Sequence, residues 1–165
     1  MTKTKNNRID DVLDTAKGII RRGETLVPVL FLRLGDRVEV INLQVFPDKD
    51  VMSEFMRFII VSAKPREYLF LCESWLRMFD TKNPDELHES ELVAGGEKQV
   101  SDLEDKEECI LVVHGSKEKG ERTGMIKIIR KKNEVEFSNI EWLPKNIEGR
   151  MSNLWNPFGG ESRIN

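Results

Sequence analysis

The side chain whose setting most suggests chemistry in this 165-residue sequence is the carboxylate of Glu73. It lies in the longest dense block of aromatic and aliphatic residues in the chain, Arg66 to Phe79, within the run Cys72-Glu73-Ser74-Trp75. Read as a strand, the block sends Tyr68, Phe70, Cys72, Leu76 and Met78 to one face. Leu69, Leu71, Glu73, Trp75 and Phe79 go to the other. Both faces are mostly apolar, which predicts a central strand covered on both sides. A carboxylate among Leu69, Leu71 and Trp75 needs a partner. Such a group suits general acid or base work. The plainer role is a structural carboxylate bonded to an arginine or to backbone amides near the strand end. No second catalytic group stands out beside it, so the structural role carries more weight.

The other reactive side chains are few. The two cysteines, Cys72 and Cys109, sit in apolar stretches and read as buried free thiols rather than a disulfide framework. Cys109 and His114 have opposite strand parity, so a thiol–imidazole pair is not expected. His114, next to Gly115, reads as a partly exposed turn residue. His88 with Glu89 and Glu91 reads as a solvated acidic loop. Zinc deaminase chemistry needs His-x-Glu or Cys-x-Glu and then Pro-Cys-x-x-Cys, and no Cys-x-x-Cys occurs. The His-x-His pair of a metal-dependent isopeptidase is absent too. Gly115 to Gly120 has the composition of a phosphate loop but lacks its Gly-Lys-Ser/Thr ending, and a hairpin turn explains it better. No cofactor and no metal are expected. Lys117, Lys119, Arg122, Lys127, Arg130, Lys131 and Lys132 make the 117–132 hairpin basic, as phosphate contact requires. Glu118 and Glu121 interrupt that charge, and no exposed aromatic platform accompanies it.

Composition sets the frame for these residues. The chain is 39% hydrophobic and 33% charged, as expected of one globular domain with a wet surface. No apolar run approaches the ~20 residues of a membrane helix, and the polar N-terminus lacks a signal-peptide core. A cytoplasmic protein is the expectation. The net charge of −3 is uneven: residues 80 to 108 hold eleven Asp or Glu and three Lys, a local net of −8.

The elements that must position Glu73 follow from periodicity. Ile9, Val12, Leu13, Ala16, Ile19 and Ile20 form one helical stripe, with Asn7 as cap and Gly23 as terminator. Thr25 to Leu34 and Arg37 to Val45 form a hairpin around Gly35-Asp36, a type II′ turn. This turn pairs Leu34 with Arg37, Leu32 with Glu39 and Leu30 with Ile41. Val29, Phe31, Val38 and Val40 are the expected core face. A second helix opens at Asp48 or Asp50 and is apolar over more than half its circumference, enough to touch the sheet and a second surface. Pro65 stops it, leaving Lys64 extended. Residues 80 to 108 read as an acidic insert or loop, with at most a helical turn over Glu86 to Leu92. Strands over Cys109 to His114, Glu121 to Lys131 and Glu134 to Trp142 close the domain. The expected fold is α+β: one domain over 1–142, with two principal helices on a mainly antiparallel five- to six-stranded sheet in the order α-β-β-α-β-β-β-β.

This order resembles the profilin-like or roadblock arrangement, and its first half is similar to the start of the cytidine-deaminase-like fold. The stretches Leu26-Val-Pro-Val-Leu-Phe31 and Glu73-Ser-Trp75 resemble motifs in a widespread group of short, uncharacterised prokaryotic and phage proteins. That resemblance covers residues 9 to 142 and implies a prokaryotic or phage source without implying an activity. The C-terminal tail, 143–165, carries Met151, Leu154, Trp155 and Phe158, too much apolar surface for a wholly disordered segment. It is expected to dock on its own domain or on a partner. The first functional expectation is a non-catalytic binding or assembly module, self-associating or holding a protein partner through a sheet edge or the tail. Trp75, Trp155 and Phe158 are its candidate binding residues. A hydrolase-like or nucleotide-handling enzyme built on Glu73 and the insert is the second. Nucleic-acid binding through the 117–132 hairpin is the third.

Overall fold

The computed structural model describes residues 8–77, 79–80 and 82–144. The chain runs α1 (Arg8–Arg21), β1 (Val29–Leu34), β2 (Arg37–Asn42), α2 (Lys49–Ala63), β3 (Glu67–Leu76), α3 (Pro84–Ala94), β4 (Glu107–Ser116), β5 (Gly120–Arg130), β6 (Val135–Phe137) and β7 (Glu141–Trp142). It is an α+β fold with one antiparallel sheet in the order β2-β1-β3-β4-β5-β6, and β7 also pairs with β5. The strand containing Glu73 is internal, between β1 and β4.

Each face of the sheet has its own helix. On one face Leu13, Ala16 and Ile20 of α1 pack on Leu69, Leu71, Ile110, Val112 and Ile126. On the other, Met52, Met56 and Ile60 of α2 pack on Leu30, Leu32, Tyr68, Phe70 and Val113. The parity expected of β3 is therefore real: Leu69 and Leu71 meet α1, while Tyr68 and Phe70 meet α2. Burial on both sides explains why this strand is apolar on both faces from Tyr68 to Cys72.

The hairpin has the expected register, with Leu30↔Ile41, Leu32↔Glu39 and Leu34↔Arg37. Gly35 supplies φ +64 while Asp36 does not enter positive φ, the pattern of a type II′ turn. Its core face is the opposite of the expected one. Leu30 and Leu32 are fully buried, whereas Val38 and Val40 are 45% and 59% exposed. The first turns of α1, at Ile9, Asp11 and Val12, stand beside Val38 and Val40 with a cleft between them instead of closing over the two valines.

Asp48 caps α2, its Oδ1 accepting from the Asp50 and Val51 amides at 2.7 and 3.2 Å. At the other end Lys64 is left-handed (φ 48, ψ 55) rather than extended, and its N–H bonds Ile60 O. Proline at 65 keeps Lys64 out of the right-handed helical region, and the helix ends in a left-handed cap that satisfies the Ile60 carbonyl. Val51 and Phe58 on the outer side of α2 stay exposed.

The acidic stretch holds more order than its composition suggests. Asn83 caps α3, with Pro84 in the first turn, and a short 3-10 turn follows at Val100–Asp102. Helix α3 has no buried residue, and charge ties the segment down: Arg77 lies 3.9 Å from Glu86 and 3.6 Å from Asp105. The last expected strand is split into β6 and β7. Among the described residues no helix is long and apolar enough to cross a membrane.

Candidate functional site

The two glutamates of β3, Glu67 and Glu73, share the α1 face of the strand but have different surroundings. Glu73 is half-buried and its Oε1 accepts the Leu26 N–H at 2.9 Å. This bond pins the segment between α1 and β1 to the middle of the sheet. Cross-strand from Glu73 lies Ile110, which offers no proton-transfer partner. The geometry is the structural one, a carboxylate satisfying a backbone amide.

Trp75, two residues on, is 43% exposed, and the Lys106 ammonium sits 4.9 Å from its ring centroid. Trp155 and Phe158 lie outside the described residues, so Trp75 alone can be placed. It stands at the far end of β3 from the cleft described below.

Glu67, at the start of β3, heads a chain of polar contacts that the sequence did not disclose. Its Oε1 lies 2.6 Å from His114 Nε2, and its Oε2 lies 3.6 Å from Arg33 Nη1. Arg122 Nε donates to His114 Nδ1 at 3.3 Å. An imidazole that accepts at Nδ1 carries its proton on Nε2 and donates it to Glu67. The guanidinium of Arg122 lies 3.7 Å from the centroid of Trp142. His114 is only 7% exposed, not a partly exposed turn residue. The signal that would have placed it is register: His114 pairs with Leu69 and with Arg122, which puts it on the α1 face beside Glu67. With both ring nitrogens engaged, it has no lone pair free to take a proton from a substrate.

Next to this chain is a cleft of about 330 Å³ between the first turns of α1 and strands β1, β2 and β3. Its apolar wall is Ile9, Val12, Phe31, Val38, Val40 and Leu69. Asp11, Arg33 and Glu67 add charge to its lining. Strand β2 is the last strand on that side of the sheet, so its outer backbone groups have no strand partner within the described sheet. An apolar trough thus runs along an open edge.

The back of the same region is closely packed. Tyr68, on the opposite face from Glu67, lies across Gly115, where a Cβ would sit 2.2 Å from the ring. Its hydroxyl bonds Glu121. Burial first, and then the Glu121 carboxylate, push the phenol pKa up. The thiols are also held neutral: burial raises Cys72 to about 12 and Cys109 to about 11. Neither is a nucleophile at neutral pH. His114 and Cys109 fall on opposite faces of β4, as parity requires.

Among the described residues no group of three His, Cys, Asp or Glu is placed to hold a metal ion. The basic hairpin is threaded with ion pairs, Lys127 with Glu107, Arg130 with Glu108 and Lys131 with Glu136. Compared with known proteins, the chain matches no family model, no curated protein and no solved structure.

Proposed function

We propose that this domain is a non-catalytic binding module whose α1–hairpin cleft receives an apolar polypeptide segment. The observation that carries the reading is the exposure of Val38 and Val40 beside Phe31 and Leu69, in a trough that borders the open β2 edge. An added strand satisfies such an edge through main-chain bonds, and alternate side chains enter the trough. Arg33 and Glu67 at the rim offer polar contacts that fix orientation. Chemistry finds less support. Glu73 is committed to an amide, His114 has both nitrogens bonded, and the thiols are protonated. The ion pairs of the hairpin likewise leave less free positive charge for a phosphate backbone than the sequence suggests.

Panning a library of random 12-residue peptides against the chain ending at Pro144 tests this. Both described core layers are built from residues between Ile9 and Trp142, so that chain retains them. The expected outcome is enrichment of peptides with alternating apolar residues, whose binding falls at least tenfold on Val40→Asp. No enrichment, or peptides indifferent to Val40→Asp, would refute the reading.

A further inference from the structure

We infer that the segment which fills the α1–hairpin cleft is the chain's own C-terminal tail, docked in cis. This rests on the cleft being a polypeptide site, as proposed above, and it names the occupant.

The path of the chain points there. Strand β7 runs antiparallel to β5, pairing Trp142 with Gly124, and the Leu143 N–H bonds Thr123 O. The chain therefore leaves the sheet beside Arg122. Arg122 begins a row of cross-strand partners, Arg122–His114–Leu69–Phe31–Val40, that ends in the cleft. Four strand spacings separate β5 from β2, about 19 Å at ~4.8 Å each. The seven residue steps from Pro144 to Met151 span about 23 Å when extended, at ~3.3 Å per residue. The first apolar cluster of the tail thus comes within reach of the trough with little slack.

Composition selects the same occupant. Met151, Leu154, Trp155 and Phe158 offer four large apolar side chains within eight positions. The other terminal segment, residues 1–7, offers one apolar residue, Met1. Arg150, just before the cluster, carries charge opposite to that of Asp11 on the α1 wall of the cleft. Occupied by its own tail, the cleft is self-covered, and a partner must displace the tail to bind. The self-covering also accounts for an exposed apolar trough on a chain with this much charge elsewhere.

The test is a disulfide trap in the full chain. Cysteines placed by Val40→Cys and Asn153→Cys keep the four tail side chains and make a near-isosteric change in the cleft. Glutathione disulfide is the oxidant. Cys72 and Cys109 react slowly by comparison because burial holds them as thiols. The expected result is an intramolecular disulfide in a monomer, formed at least tenfold faster than in the control pair Val45→Cys and Asn153→Cys. Equal rates in the two pairs, or no trapped product, would overturn the inference. A covalent dimer would overturn docking in cis and make a second copy the occupant. Enriched peptides on the chain ending at Pro144 without a trapped monomer would leave the cleft a binding site and remove only the tail from it.

Discussion

The two ends of β3 carry the same functional group on the same face, and it is the Glu67 end that borders the cleft described above. At Glu73 the carboxylate closes on the Leu26 amide. At Glu67 it joins a chain through His114 to Arg122, with Arg33 alongside, and the wall next to it is open and apolar. The difference is in what covers each end. The linker from α1 to β1 crosses over Glu73, whereas the first turns of α1 border a cleft beside Val38 and Val40 and leave both valines exposed. A polar group on an apolar face is thus a weak guide to a site. What its neighbours leave uncovered is a stronger one.

The comparison can be broken by substitution, and the largest effect is expected behind the Glu67 end. Gly115→Ala puts a Cβ against the Tyr68 ring and should cost about 3 kcal/mol by denaturant unfolding. Glu67→Ala leaves the buried Nε2–H of His114 without its acceptor and should cost about 2 kcal/mol. Glu67→Gln, which keeps an acceptor oxygen, should recover most of that. Glu73→Ala removes one bond to an amide and should cost about 1 kcal/mol, while Glu73→Gln should stay within about 0.5 kcal/mol of wild type. A Glu73→Gln chain that unfolds would contradict the simple acceptor role.

Between the two ends, Cys72 and Cys109 report how tightly the sheet is covered. Their folded-state pKa values, about 12 and 11, lie above the ordinary thiol value of 9.0. The stability this confers is fully present below pH 9, where the thiols of the unfolded chain are also neutral. It is lost as pH rises from about 9 towards 11 and 12, because only the unfolded chain ionises there. Tyr68, also raised, acts in the same direction from pH 10. Thermal unfolding across pH 8 to 11 should show the decline, and iodoacetamide at pH 8 should label the native protein far more slowly than the unfolded one.

Much of this fold was legible in the sequence because apolar periodicity and turn chemistry agree. The stripe Ile9–Val12–Leu13–Ala16 gave α1, Gly35-Asp36 gave the hairpin and its register, and the two-sided apolar block gave a central strand. That Glu73 needs a partner was readable for the same reason, since a carboxylate on an apolar face must be bonded; that the partner is the Leu26 amide and not an arginine was not. The cleft was not readable. Whether Val38 and Val40 are covered depends on where a helix thirty residues earlier begins to touch the sheet, which no local pattern encodes. His114 was misread because its partners, Glu67 and Arg122, are brought to it by cross-strand register. The insert showed only its charge, since α3 buries nothing and has no apolar stripe to announce it.

Val40→Asp makes the smallest change in stability, within about 0.5 kcal/mol for an exposed edge residue, and the largest in binding. The most direct measurement is therefore the affinity of one apolar peptide, selected on the chain ending at Pro144, for three versions of that chain. The account predicts that Val40→Asp weakens binding at least tenfold and that Glu73→Gln leaves it unchanged. Loss of binding on Glu73→Gln, with Val40→Asp at wild-type affinity, would place the site at the other end of β3.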